Sequence, residues 1–233
     1  MFRVLTLLNV EEFMKKIIAI LGDYYHDEGL LKQSLNTAFN SSATREECIS
    51  LEYIKVEQLA EKLQEQPDAV ILSKANKLNP TEPSVEYWMD KNLEKQICQY
   101  VDQGGGWLVW HSGLSSYELL EDYYSMVRGK FDFHPPEHLD VTYQFNESSE
   151  MIPKHNTSYQ VSDEHYFVTC EESQTNVFLH AISPKGKTIA GWKHPYGKGR
   201  VICLTPSHTK EGLLHPEFIQ LLSLSVKWCC QMA

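Results

Sequence analysis

Apolar positions along the chain gather into short runs separated by polar loops, and the runs alternate in type. Residues 16–21 (KIIAIL) and 69–73 (AVILS) are continuous and of strand length, so they predict strands buried on both faces. Residues 30–39, with Leu31 and Leu35 on one side, and residues 57–66 have helical spacing, and residues 48–56 read as a further strand between them. Residues 85–103 carry Trp88, Leu93, Ile97, Tyr100 and Val101 near the helical period, which predicts the helix that feeds the central strand. Gly104, Gly105 and Gly106 stop that helix, because glycine tolerates the backbone angles of helix ends and tight turns. The short apolar strand Trp107-Leu108-Val109-Trp110 follows and ends at His111. The order β-α-β-α-β-α-β predicts a parallel sheet with helices on both faces, since parallel strands need crossover connections.

Beyond His111 the pattern is less regular. Residues 117–127 have helical character, and residues 129–136 (GKFDFHPP) read as a loop because prolines cannot continue a helix. Residues 139–145 alternate like an exposed strand, 151–159 form a connector, and 177–181 are again strand-like. A hairpin pairs residues 187–194 with 200–205 across the glycine-rich turn 195–199. His215-Pro216-Glu217 opens a last helix whose Phe218, Leu221, Leu222, Leu224, Ser225 and Trp228 make a packing face. No internal repeat interrupts the order. Met14 directly precedes the first good strand, so residues 1–13 read as an N-terminal extension and residues 14–233 as one domain.

Charge and composition narrow the function. The net charge of -10 repels phosphate backbones, so nucleic acid is not an expected partner. No run of about 18 apolar residues occurs, so no membrane span is expected. The start lacks the length and cleavage site of a secretory signal, and the six cysteines show no C-x-x-C spacing; both fit a reduced, cytoplasmic protein. Tyr87 and Trp88 are candidates for an exposed apolar patch and make a homodimer an expectation.

Ten histidines are present, and His26, His111, His134 and His208 stand where elements end and loops begin. On a parallel sheet such positions share one rim, where imidazoles can act as acids, bases or metal ligands. Read singly, each is more often an ordinary hydrogen-bonded residue of the surface or core, and it is the set at one edge that points to function. Asp163-Glu164 supplies the carboxylate partner, to ligate a metal, orient an imidazole or act as base. Trp110, Phe131, Tyr166 and Trp192 are candidates for the flat walls of a small-ligand pocket. A serine nucleophile is disfavoured, because Ser112 has Trp110 and Leu114 where a nucleophile elbow needs small residues. His215-Pro216-Glu217 mimics the His-x-Glu of a class I glutamine amidotransferase, but no cysteine stands at the strand end.

The chain resembles the ThuA-like (trehalose-utilisation) family, a branch of the class I glutamine amidotransferase-like fold without the amidotransferase cysteine. The resemblance rests on the segments 104–112, 129–135, 162–166 and 197–208, and on Pro216-Glu217-Phe218 with Trp228, in an order that spans most of the chain from Met14. It implies a flavodoxin-like three-layer sandwich with a mainly parallel sheet, and a catalytic site of His111, His134, Glu164 and His208. His26, Trp110, Phe131, Asp163, Tyr166 and Trp192 would contact the ligand. It further implies a carbohydrate ligand, an oxidised (3-keto) sugar or glycoside, handled by acid–base chemistry as an isomerase, lyase or hydrolase. A divalent metal, zinc, manganese or magnesium, would be held by His111, His134 and His208, and no nucleotide cofactor is expected. A catalytically inactive sugar-binding or scaffold protein of the same fold is the alternative. Ser207 before His208, where many relatives carry glycine, leaves the fold reading intact and the substrate open.

Overall fold

The computed structural model describes residues 14–41, 49–147, 149–153 and 156–232; the expected N-terminal extension, residues 1–13, and Cys48 lie outside them. The first half follows the expected alternation: β1 (Lys15–Leu21), α1 (Glu28–Ser41), β2 (Ile49–Tyr53), α2 (Leu59–Gln64), β3 (Ala69–Ser73), α3 (Lys91–Asp102) and β4 (Gly106–Trp110). These four strands are parallel neighbours in the order β2-β1-β3-β4, and β11 (Gly199–Leu204) joins parallel beyond β4. Chain order reverses between β1 and β3. Ligands of open α/β sheets bind at the carboxyl ends of strands beside such a switch point.

Strand parity explains why the sheet is covered on both faces. Ile17 and Ala19 of β1, Ile71 of β3, Leu108 and Trp110 of β4 and Ile202 and Leu204 of β11 face a core shared with Leu31 and Leu35 of α1 and with Phe218, Leu221 and Leu222 of the last helix (Pro216–Cys229). The alternate residues Ile18, Ile20, Val70, Leu72, Trp107, Val109, Val201 and Cys203 face the other core, against α2, α3 and α4 (Glu121–Val127). A strand buried on both faces needs no polar alternation, which is why these segments read as continuous apolar runs.

The other half of the sheet is antiparallel. β10 (Gly186–Tyr196) pairs with β11, β9 (Asn176–Ser183) with β10, β6 (Leu139–Phe145) with β9, and β7 (Ser158–Asp163) closes the edge. Among the described residues this makes a nine-stranded mixed sheet with flanking helices. Three expectations are corrected here. Residues 139–145 are not an exposed strand, because β6 has neighbours on both sides and buries Val141, Tyr143 and Phe145. Residues 129–136 are not all loop: β5 (Gly129–Phe133) pairs antiparallel with β8 (Phe167–Cys170) in a separate two-stranded ribbon. The helix expected from residue 85 begins at Lys91, where the Asp90 carboxylate accepts from Asn92 N at 3.0 Å and Leu93 N at 2.8 Å. The chain before it is held outside the helix by Trp88 Nε1 donating to Ala75 O and Met89 N donating to Asn76 Oδ1. Among the described residues no helix is long and apolar enough to cross a membrane.

Candidate active site

Four loops that leave the carboxyl ends of β1, β4, β7 and β11 meet above the sheet. The first begins at Gly22, whose φ of +81° favours glycine and whose N–H donates to Ser73 O at 2.9 Å, tying the exits of β1 and β3 together. Asp23 follows. Its Oδ2 accepts from Ala75 N at 2.9 Å, and its Oδ1 accepts from Tyr25 N at 3.0 Å and from His26 Nδ1 at 2.6 Å. Burial alone would raise the Asp23 carboxyl, but the His26 hydrogen bond and charge, with the two backbone donors, hold it well below the usual carboxylate range. A carboxylate can only accept, so Nδ1 of His26 carries a proton, and Nε2 is the nitrogen left without a partner.

His111 is arranged in the same sense by a different partner. It ends β4 in the left-handed region at φ +49° and opens a 3-10 turn, His111–Leu114. A side-chain-bearing residue in that conformation persists only where its surroundings over-determine it. Here Nδ1 donates to Thr205 O at 2.6 Å and the ring stacks on Tyr166 at 4.0 Å, so Nε2 is the nitrogen left to face Glu164. The turn is pressed against the neighbouring strand. A Cβ on Gly113 would lie 2.3 Å from Leu72 O. Gly113→Ala is therefore expected to lower stability by about 1–3 kcal/mol, as overpacking against backbone does, and a urea titration with an unchanged m-value would measure it.

Asp163 and Glu164 divide the work of the third loop. Asp163 is fully buried, and its Oδ1 accepts from the backbone N–H of Glu164, His208 and Thr209 at 3.0, 2.9 and 3.0 Å, fastening this loop to the one after β11. Glu164 points the other way: Oε2 lies 3.3 Å from His111 Nε2 and 3.6 Å from His208 Nδ1, and Oε1 lies 3.8 Å from His134 Nε2. Burial would raise the Glu164 carboxyl, but the neighbouring imidazoles, His111 foremost, bring it down to about 2, so it is ionised at neutral pH. Burial brings His208 down to about 4, against the pull of Glu164, so its ring is neutral.

His26 Nε2, His111 Nε2 and His208 Nδ1 are buried without a hydrogen-bond partner, and with a Glu164 oxygen they lie within 4.8 Å of one another. Leaving three buried imidazole nitrogens without a partner is costly, and such nitrogens, once unprotonated, make with one carboxylate oxygen the donor set of a borderline divalent ion such as zinc or manganese. Magnesium, which asks for oxygen donors, fits less well. His134 stands apart from this group. Its Nδ1 donates to Pro135 O at 2.7 Å, which frees Nε2 toward Glu164, and its ring lies parallel to Tyr166.

His26, His134, Glu164, Tyr166, Phe131 and His208 line one cleft of about 440 Å³, with His111 buried directly beneath them. Trp110 and Trp192 are not brought there: Trp110 packs on Phe218 and donates to Pro206 O, and Trp192 donates to Val127 O in the opposite core. Asp23, Tyr24 and Tyr25 also line the cleft; the sequence reads residues 22–29 as a polar loop well placed to face one, but of these residues it singles out His26 alone. An aspartate three residues before a histidine in one loop was the available signal for Asp23. No signal existed for the Thr205 carbonyl. Among the described residues the cysteines are no alternative nucleophiles, since burial pushes the Cys98, Cys170 and Cys230 thiols up to about 12 and the Cys203 and Cys229 thiols well above their usual value.

Fold and site together define an α/β protein with an imidazole-rich cleft at the carboxyl edge of its parallel strands. The ThuA family profile, described as trehalose utilisation, matches residues 24–229, and the chain belongs to that family. Its fold is similar to that of a ThuA-like protein from Bacteroides uniformis, with 17% identity, a TM-score of 0.67, and 93% of this chain and 91% of that one covered. A ThuA-like protein from Parabacteroides merdae has 12% identity and a TM-score of 0.68 over 93% of this chain and 90% of its own. A protein of Salmonella typhimurium described as cytoplasmic has 16% identity and a TM-score of 0.61 over 93% of this chain and 97% of its own. No curated protein matches the chain by sequence.

Proposed function

We propose that this protein acts in carbohydrate metabolism, on an oxidised (3-keto) sugar or a glycoside, by histidine and glutamate acid–base chemistry at a divalent-metal site in the cytoplasm. The observation that carries the reading is the convergence of His26, His111, His208 and Glu164, the three rings each with a buried nitrogen that has no partner, at the wall of a cleft sized for a small ligand. Membership of a family described as trehalose utilisation supports the sugar. Strand order and helices on both faces support a flavodoxin-like, class I glutamine amidotransferase-like ancestry, with His111 where that chemistry would need a thiol.

His26, His111, His208 and Glu164 would hold the ion. When bound, a divalent ion supplies a Lewis acid for an oxygen of the substrate. The proton is then the business of His134. With Nδ1 committed to the Pro135 carbonyl, the neutral form of the ring carries its lone pair on Nε2, at the cleft, and in that form it can remove a proton from the carbon beside a ketone. Glu164 Oε1, 3.8 Å from that nitrogen, stabilises the imidazolium so formed. Tyr166, stacked on both His111 and His134, holds the two rings and closes the cleft floor to water.

The test is direct. Protein purified without a histidine tag is expected to contain about one zinc or manganese per chain and, after reconstitution, to convert at least one member of a panel of 3-keto glucosides, followed by product analysis. A panel left unchanged with zinc, manganese and magnesium each added would remove the catalytic half of the proposal, and absence of bound metal at saturating concentrations would remove the other.

A further inference from the structure

A second cleft, of about 600 Å³, opens beside the first, over the chain leaving β1, β2 and β3. The two adjoin along the same pair of loops: residues 23–26 line both, and the segment after β3 gives Lys74 and Leu78 to one and Ala75 and Lys77 to the other. Tyr24 and Tyr25 mark the boundary. They are 68% and 59% exposed and meet edge to face at 4.9 Å, so they fill no core.

The charges of the second cleft say what it takes. α1 begins here, and the N-terminus of a helix at a sheet's switch point is where nucleotide phosphates bind when the loop is glycine-rich. In this chain that position is already occupied by the protein's own carboxylates. Asp27 Oδ1 accepts from Leu30 N at 2.7 Å, and Glu28 stands in the first turn; both line the cleft. Lys55 is paired with Glu28 at 3.4 Å, and Lys74 Nζ donates to Gly22 O, so the cations there are committed as well. A phosphate would meet negative charge. A neutral polyol would meet acceptors for its hydroxyls and, on Tyr24 and Tyr25, flat apolar faces for its C–H side.

The geometry points to a second sugar-binding subsite, next to the candidate active site and separated from it by Tyr24 and Tyr25, so that the ligand of this protein is a neutral glycoside of at least two rings rather than a monosaccharide or a nucleotide. It rests on the reading above that the ligand is a sugar. One ring would lie at His134 and Glu164, and the other would cross the tyrosines into the outer cleft.

Titration calorimetry of the full chain with glucose, trehalose, maltose, cellobiose and ATP tests it. At least one disaccharide is expected to bind about tenfold or more tightly than glucose. Val56→Arg, which puts a long charged side chain into the outer cleft alone, is expected to erase that advantage and leave glucose affinity unchanged; Tyr24→Ala is expected to weaken the disaccharide about tenfold. Glucose binding with no disaccharide gain, a gain that survives both variants, or ATP competing with the disaccharide would overturn the subsite and leave the sugar reading intact. A protein that binds none of these sugars would overturn the subsite, while the panel of 3-keto glucosides decides the sugar reading by itself.

Discussion

Glu164→Gln is expected to lower affinity for zinc or manganese by on the order of 100-fold or more, and turnover with it, whereas His134→Ala should keep the ion and lose about 10²- to 10⁴-fold in turnover alone. The first figure is a lower bound. Loss of a group that merely orients a ligand costs about 10–100-fold, and Glu164 is itself one of the four converging donors. The glutamine keeps the shape but removes the one negative charge facing His111 Nε2 and His208 Nδ1, and its amide adds a donor where a donor does harm. His134 touches the same carboxylate through the other oxygen, 3.8 Å away, and is outside the donor group, so its loss removes the base without emptying the site. Metal analysis by mass spectrometry beside steady-state kinetics separates the two. Equal loss of metal in both variants would show that His134 is a ligand, and full activity in His134→Ala would assign the base elsewhere.

The second large effect is on stability in acid. His194 lies in β10, 3% exposed, with Nε2 donating to Met126 O at 2.8 Å and Nδ1 accepting from Thr175 Oγ1 at 2.9 Å. Burial, reinforced by Arg128 and opposed by the Met126 hydrogen bond, brings its pKa down from 6.5 to about 4. Between those values the unfolded chain binds the proton and the folded chain does not. Stability is therefore complete above the unfolded value and falls as pH drops through 6.5 toward 4, by about 3 kcal/mol for this residue. Glu164 and Asp23 also lose stability in acid, but only from their ordinary carboxylate values downward, and Asp163, raised by burial, acts in the opposite sense, so the acid loss between about 4.5 and 6.5 belongs to histidines. Urea titrations across that window should show the difference between the wild-type chain and His194→Gln shrinking by about that amount as pH falls. A difference independent of pH would show that the ring is as easily protonated folded as unfolded.

The parallel half of this fold could be read because its strands are buried on both faces and end at glycine or polar loops: residues 16–21, 69–73 and 107–110 need no information from the rest of the chain. The ribbon of β5 and β8 could not. Gly129-Lys130-Phe131-Asp132-Phe133 runs into His134 and two prolines, and its strand partner among the described residues lies more than thirty residues further on. The histidines were legible as a set for one reason: on a parallel sheet, residues just past strand ends share a rim. The same rule explains where the aromatic candidates fell. Trp110 and Trp192 lie within strands, where side chains point into the layers, while Phe131 and Tyr166 belong to the ribbon and the loop before it and reach the cleft. Asp163 was singled out with its neighbour, yet strand parity turns it inward to the backbone of residues 208 and 209.

Two imidazoles of this site are steered by different kinds of partner, His26 by the carboxylate of Asp23 and His111 by the carbonyl of Thr205. The second restraint is written into the main chain, where no exchange of amino acid at residue 205 can delete it. Divergence or redesign of the donor set has only one dial to turn: an amide or a hydroxyl at residue 23 would reset the basicity of one ring while its companion stays as the backbone placed it.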